Sequence, residues 1–153
     1  MDIAEQPTID RILEDFEFLD EWEDRYRYLI ELGKALPDFP EAERNDRNKV
    51  QGCASQVWLV PTIVPGTDGP HLLFIGDSDA LIVRGLVAVV LALFSGRSAR
   101  EIAQTDAEAV FSRMNLREHL TAQRSNGLRS MVARIKAHAA DALAAEAQPI
   151  DGR

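Results

Sequence analysis

Cysteine is almost absent from this chain. One residue, Cys53, occurs in 153, so no internal disulfide can form and a disulfide-stapled secreted scaffold is excluded. Histidine is nearly as scarce. His71, His119 and His138 are scattered, and with one thiol they do not make a structural zinc site, which wants four ligands. The sequence holds no G-x-G-x-x-G, no Walker loop, no H-E-x-x-H and no G-x-S-x-G elbow, so the common dinucleotide, nucleoside-triphosphate, metalloprotease and serine-hydrolase sites have no anchor here. Positive charge is in short supply: 17 Lys and Arg stand against 25 Asp and Glu, a formal net charge of -8. That balance argues against a nucleic-acid binder, which must neutralise phosphates. Long hydrophobic runs are missing too. The most apolar stretch, Ala80 to Phe94, carries Arg84 and Gly85 and falls short of the roughly 20 residues a membrane span needs. The start, Met1-Asp2-Ile3-Ala4-Glu5, is acidic where a signal peptide is basic, and a cytoplasmic setting is expected.

What is present is ordinary globular composition, 46% hydrophobic and 27% charged, enough for one domain over residues 1–153 that buries about two-thirds of its unfolded surface. The charge is uneven. Residues 1–46 hold 15 acids and 5 bases, whereas residues 47–153 hold 10 and 12. This is either a solvated acidic helical face or a dipole that orients the molecule on a charged partner.

Thr8 precedes Ile9, Ile12, Leu13, Phe16 and Leu19, spaced as one face of a helix. Asp20, with Glu23 three residues on, reads as a capping box opening a second helix. Its expected buried face is Trp22, Tyr26, Leu29, Ile30 and Leu36, and Pro37 and Pro40 stop it. The two form a helical hairpin. Gln56 to Val64 is rich in β-branched residues and reads as a strand, Pro65 to Pro70 as a turn, and His71 to Ile75 as the returning strand. Val50 and its neighbours are candidates for a short third strand. Ser78 or Asp79 is placed to cap a buried helix over Ala80 to Ser95, which Gly96 ends. Ser98 to Glu101 is a second capping box, Asp106 opens a further helix with Val110, Phe111 and Met114 inward, and Leu116 to Arg124 is a connector. A last helix runs from about Ser125 to Ala147 on the stripe Leu128, Met131, Val132, Ile135. Strands and helices are segregated, so the expected class is α+β with a small antiparallel sheet of about three strands, an N-terminal helical hairpin and long C-terminal helices.

Cys53 sits between Gly52 and the small residues Ala54 and Ser55, just ahead of a strand. A core cysteine is usually set in an apolar pattern; this one is placed at a loop tip, as a reactive thiol would be. Alone it cannot be a dithiol oxidoreductase, which needs C-x-x-C. It is suited either to hydrolytic attack, with His119 as base and Asn126 or an Asp as orienter, or to carrying a sulfur atom covalently. A second thiol nearby would divert a persulfide into a disulfide, so a lone cysteine favours a carrier.

Four blocks resemble the SufE family of sulfur acceptor proteins, including its CsdE branch: Tyr28-Leu29-Ile30-Glu31-Leu32-Gly33-Lys34-Ala35-Leu36-Pro37; Val50-Gln51-Gly52-Cys53-Ala54-Ser55-Gln56-Val57-Trp58; Gly76-Asp77-Ser78-Asp79-Ala80-Leu81-Ile82-Val83-Arg84-Gly85-Leu86; and His119 to Leu128. The resemblance covers about residues 10–140, and the blocks keep the family's order and spacing. It implies a fold shared with NifU-type scaffolds, and a protein that takes a sulfane sulfur from a PLP-dependent cysteine desulfurase of SufS or CsdA type, stimulates that enzyme, and delivers sulfur to a SufBCD-like iron–sulfur scaffold complex. Cys53 matches the sulfur-accepting cysteine. PLP belongs to the partner, and no cofactor or metal is implied in this chain. A scaffold itself would need several cysteines for a cluster. Ala54 in place of a frequent Gln, and Ala122-Gln123 in place of a commoner Pro-Ser, are departures that bear on the loop and on partner choice.

The supporting residues follow from thiol chemistry and the matching blocks. Attack needs thiolate, which a nearby cation favours; Arg124 is the first candidate and His119 the second. Gly52 serves an unusual backbone angle or the close approach of a partner. Ser55 is placed to hydrogen-bond the loop. Asp77 and Asp79 are either turn and capping residues or a hold on the sulfur-bearing loop. Trp58 is expected in the core with Trp22 as a candidate neighbour. No nucleic-acid or membrane partner is expected, and the chain is expected to be a monomer or weak homodimer. The competing readings are a cysteine hydrolase or transferase using Cys53 and His119, and a non-catalytic interaction module.

Overall fold

A computed structural model describes residues 6–147. The acidic start, Met1 to Glu5, and the last six residues assigned to the same domain lie outside the described residues. The element order is α1 (Ile9–Phe18), α2 (Trp22–Lys34), a 3-10 turn (Glu41–Glu43), β1 (Val57–Val64), β2 (His71–Ser78), α3 (Leu81–Phe94), α4 (Ala99–Gln104), α5 (Ala107–Arg113), α6 (Leu116–His119) and α7 (Ala122–Ala147). The class is α+β, with a helical hairpin at the N-terminal side and one long C-terminal helix.

Local chemistry sets most of the boundaries. The Thr8 side chain accepts from Arg11 N–H and caps α1, Ser98 and Glu101 close a reciprocal capping box on α4, and Asp106 accepts from Ala109 N–H on α5. The expected box at Asp20 does not form. Helix α2 begins at Trp22, so Glu21 rather than Asp20 takes the N-cap position and makes no side-chain cap bond, while Arg25 donates to the carbonyls of Phe16 and Leu19 at the end of α1. Nor do Ser78 or Asp79 cap α3, whose N-cap is Ala80. The connector over 116–124 contains one extra turn of helix, α6, and α7 starts three residues earlier than expected, where the Thr121 hydroxyl accepts from Arg124 N–H.

The buried stripe of α2 is Tyr28, Leu29, Leu32 and Gly33, with Trp22, Tyr26 and Leu36 only partly covered. Two facts rotate it from the expected face. Tyr28 is buried because its hydroxyl donates to the buried Asp15 carboxylate at 2.6 Å, which removes the cost of burying both. Gly33 and Gly85 let α2 and α3 cross almost backbone to backbone: a Cβ at Gly85 would collide with the carbonyl group of Leu29. Helix α3 is then central, with Leu86, Val87, Val89, Val90 and Phe94 fully buried.

The sheet has two strands rather than three. β1 and β2 pair antiparallel from Val57 opposite Ser78 to Val64 opposite His71. Val50 adds a fragment: Val50 N–H donates to Val57 O at 2.8 Å and Leu59 N–H to Asn48 O at 3.0 Å, around an isolated bridge between Lys49 and Trp58. The polar run that leads there cannot bury a further face, so pairing stops at the bridge. Along β1 the odd-numbered residues direct their backbone groups towards this free side. Pro61 shares that parity and offers no N–H there. Trp58 is buried, and its aromatic neighbour is Phe39 at 6.5 Å, with Arg44 over its ring. Trp22 lies elsewhere, against Phe16, Tyr26 and His119.

Candidate functional site

The short ladder of residues 48–50 on 57–59 makes the intervening segment, Gln51 to Gln56, a turn with Cys53 at its middle. The turn lies on α7. Gly52 has φ +91°, a left-handed angle that favours glycine, and a Cβ there would come within 2.5 Å of Ser130 Oγ. Gly52 thus has the unusual backbone angle expected of it, and the wall it closely approaches is this chain's own helix. The Cys53 thiol donates to the carbonyl oxygen of Gly127 at 3.6 Å and is half-buried. Burial pushes its pKa above the ordinary thiol value, so the resting thiol is protonated at neutral pH.

Beside the sulfur opens a cavity of about 190 Å³ lined by Cys53, Ala54, Ser55, Val83, Thr121, Gln123, Arg124, Gly127 and Met131. The structure thus gathers Cys53, Ser55 and Arg124. Arg124 stands on the first turn of α7, where the helix N-terminus adds its own partial positive charge. His119 is placed elsewhere. Its ring stacks on Trp22 with centroids 3.8 Å apart, and its carbonyl accepts from the Tyr26 hydroxyl.

The two aspartates part company. Asp79 Oδ1 accepts from Gln56 N–H at 3.0 Å, and Asp79 N–H donates to Gln56 O at 3.3 Å. It therefore holds the downstream end of the cysteine turn. Asp77, two residues earlier, on β2 and paired with Trp58, is buried between two guanidinium groups. Arg44 Nη2 donates to its Oδ2 at 2.6 Å, and Arg84 Nε lies 2.9 Å from its Oδ1 as an ion pair without hydrogen-bond alignment. These arginines line a separate polar cavity of about 140 Å³ with Lys34 and Asp38. Sequence reading missed Arg134. It donates to the carbonyls of Arg47 and Lys49 at the upstream end of the turn, and an arginine on a polar helical face carries no signal of that contact. Among the described residues no three His, Cys, Asp or Glu side chains gather as metal ligands, and no helix is long and apolar enough to cross a membrane.

A lone, half-buried thiol thus sits on a turn between a sheet and a helix, facing a cavity with an arginine. The chain belongs to the SufE family: the model of the SufE Fe-S metabolism associated domain matches residues 10–139. It is 61% identical over 132 residues, covering 86% of this chain and 94% of the relative, to the uncharacterized SufE-like protein R01000 of Rhizobium meliloti. It is 60% identical over 132 residues, 86% of this chain and 89% of the relative, to the uncharacterized SufE-like protein RHE_CH01250 of Rhizobium etli. In fold it is similar to a hypothetical protein from Thermus thermophilus solved in solution, with a TM-score of 0.69 at 20% identity over 92% of this chain and 98% of that one. The family places the chain in iron–sulfur metabolism.

Proposed function

We propose that this protein accepts a sulfane sulfur on Cys53 from a PLP-dependent cysteine desulfurase, stimulates that enzyme by relieving it of its persulfide, and passes the sulfur to an iron–sulfur scaffold complex in the cytoplasm. The observation that carries the reading is the setting of Cys53: the chain's one thiol, on a turn, against a cavity large enough for an added sulfur and lined by Arg124. In the step, the Cys53 thiolate attacks the terminal sulfur of the partner's persulfide. A new S–S bond forms on Cys53, the partner's S–S bond breaks, and the partner's cysteine leaves as thiolate. The proton stays on the transferred sulfur or passes to solvent, and no oxidant or reductant is consumed.

Arg124 stabilises the thiolate while the turn is engaged, offsetting the burial that keeps the resting thiol protonated. The protonated rest state protects the free protein from stray oxidation. A hydrolase reading needs a base within reach of the sulfur, and the stacking of His119 on Trp22 commits that imidazole elsewhere. A purely structural Cys53 would leave function intact when changed to serine.

The test is incubation with a catalytic amount of a cysteine desulfurase and free cysteine, followed by intact mass without reductant. A gain of one sulfur, about 32 Da, reversed by dithiothreitol and absent in Cys53→Ser, is the expected result. No gain with a competent cognate enzyme overturns the reading.

A further inference from the structure

Cys53 lies three residues from Val50 and three from Gln56, and different devices hold the two ends of that segment. Downstream, Gln56 is tied to Asp79. Upstream, the Val50–Val57 and Asn48–Leu59 hydrogen bonds close a two-rung ladder. Arg134, on the fourth turn of α7, backs that ladder from outside. Its Nη1 donates to Lys49 O at 3.0 Å, its Nη2 to Arg47 O at 2.5 Å, and its Nε to His138 Nε2 at 3.2 Å. Every nitrogen of the guanidinium therefore has an acceptor. Burial and the neighbouring Arg134 charge push the His138 imidazole below its usual pKa, which favours the neutral ring, and the tautomer with its proton on Nδ1 supplies the Nε2 lone pair that the third bond requires.

We propose that Arg134 is a positioning residue for Cys53: it pins the base of the thiol-bearing turn to α7, so that the five residues Gln51 to Ser55 alone move when the thiol meets its partner. The inference rests on the carrier reading of Cys53. At about 3.3–3.6 Å per extended residue, three residues let the Cys53 Cα travel no more than about 10 Å from either anchor. A short tether on a fixed base confines the sulfur to a small volume over the first turns of α7, which raises its effective concentration at a docked partner's persulfide. Without Arg134 the carbonyls of Arg47 and Lys49 lose their side-chain donors. The effective anchor retreats towards Asn45, whose side chain accepts from Asn48 N–H, the tether lengthens, and the thiol spends more time away from Gly127.

Arg134→Met keeps the apolar stem and removes the donors; Arg134→Lys keeps the charge with fewer, differently placed donors. Alkylation of Cys53 by iodoacetamide at neutral pH, read by intact mass, should be at least about fivefold faster in Arg134→Met, with Arg134→Lys in between. The control is Lys136→Met. Lys136 donates to Ala103 O and Thr105 O from the next turn of the same helix, so its loss loosens α7 without touching the turn, and Cys53 should alkylate within about twofold of wild type. With a cysteine desulfurase, Arg134→Met should raise the KM for this protein as sulfur acceptor and leave kcat unchanged. Wild-type alkylation rates in Arg134→Met, or equal acceleration in Lys136→Met, overturn the proposal. Alkylation needs no partner, so failure of the carrier reading is seen separately, as a wild-type protein that takes no sulfur. In that case Arg134 guards an idle thiol and its assignment to sulfur transfer also falls.

Discussion

The Cys53 sulfur and the backbone of Gly127 touch: the thiol donates to the Gly127 carbonyl across 3.6 Å, and a methyl group at Gly127 would lie 3.4 Å from the same sulfur. That is ordinary van der Waals distance, so the methyl fits. Gly127→Ala should raise stability by about 0.5–1 kcal/mol, because a mid-helix glycine is a poor helix former. It should also slow alkylation of Cys53 by packing the turn more firmly. Chemical denaturation and iodoacetamide kinetics check both, and a lower midpoint for Gly127→Ala contradicts the geometry.

Gly52 is the opposite case. Its φ of +91° strains any other residue, and the added Cβ would collide with Ser130 Oγ. Gly52→Ala should cost about 1–2 kcal/mol and speed alkylation of Cys53. Adding Ser130→Ala should relieve the collision and leave the backbone strain, so the double variant recovers only part of the loss. Full recovery would show that the backbone angle costs nothing.

The raised pKa of Cys53 fixes the sign of a pH effect. Between the ordinary thiol pKa and the higher folded value, the unfolded chain has lost its proton and the folded chain has not. Stability is therefore fully present below about pH 8.5 and falls as pH rises through the folded pKa. Cys53→Ser removes this contribution, so its stability should decline less between neutral and alkaline pH than that of the wild type. Denaturant titrations across that range supply the comparison, and parallel declines would contradict a buried thiol.

Asp77 and Asp79 should separate cleanly. Asp77→Asn leaves Arg44 and Arg84 facing a neutral group and should lower stability by about 1–3 kcal/mol, with sulfur loading of the folded fraction unchanged. Asp79→Ala unties Gln56 and should cost less stability while accelerating alkylation of Cys53. A reversed pattern, with Asp77→Asn exposing the thiol, would mean that the arginine pair and the turn are coupled.

Much of this was legible in the sequence where the signal is local. Thr8, Ser98 with Glu101, and Asp106 cap the helices that their spacing predicts, and Cys53 reads as a turn thiol from its small neighbours. The misses are tertiary. Asp20 carries the same box pattern as Ser98, but α2 begins at Trp22 and leaves Glu21 at the N-cap position. The buried face of α2 passes through Tyr28 because Asp15, thirteen residues away, takes its hydroxyl. Arg124 and His119 look alike as candidate cations in the same block; only the fold puts one in the cavity that Cys53 lines and the other on Trp22. Arg134 reaches back 85 residues to Lys49, and no spacing rule spans that distance.

Pro61 has a consequence for how the molecule meets its own kind. A hairpin with one open side is a template on which another extended chain could be laid, rung by rung. Residues 48–50 already occupy the side at Val57 and Leu59, and at Pro61 the template lacks a donor, so an added strand would find its first free rung without an N–H. Stacking of hairpins into an intermolecular ribbon along this edge is therefore weakened at its first free rung.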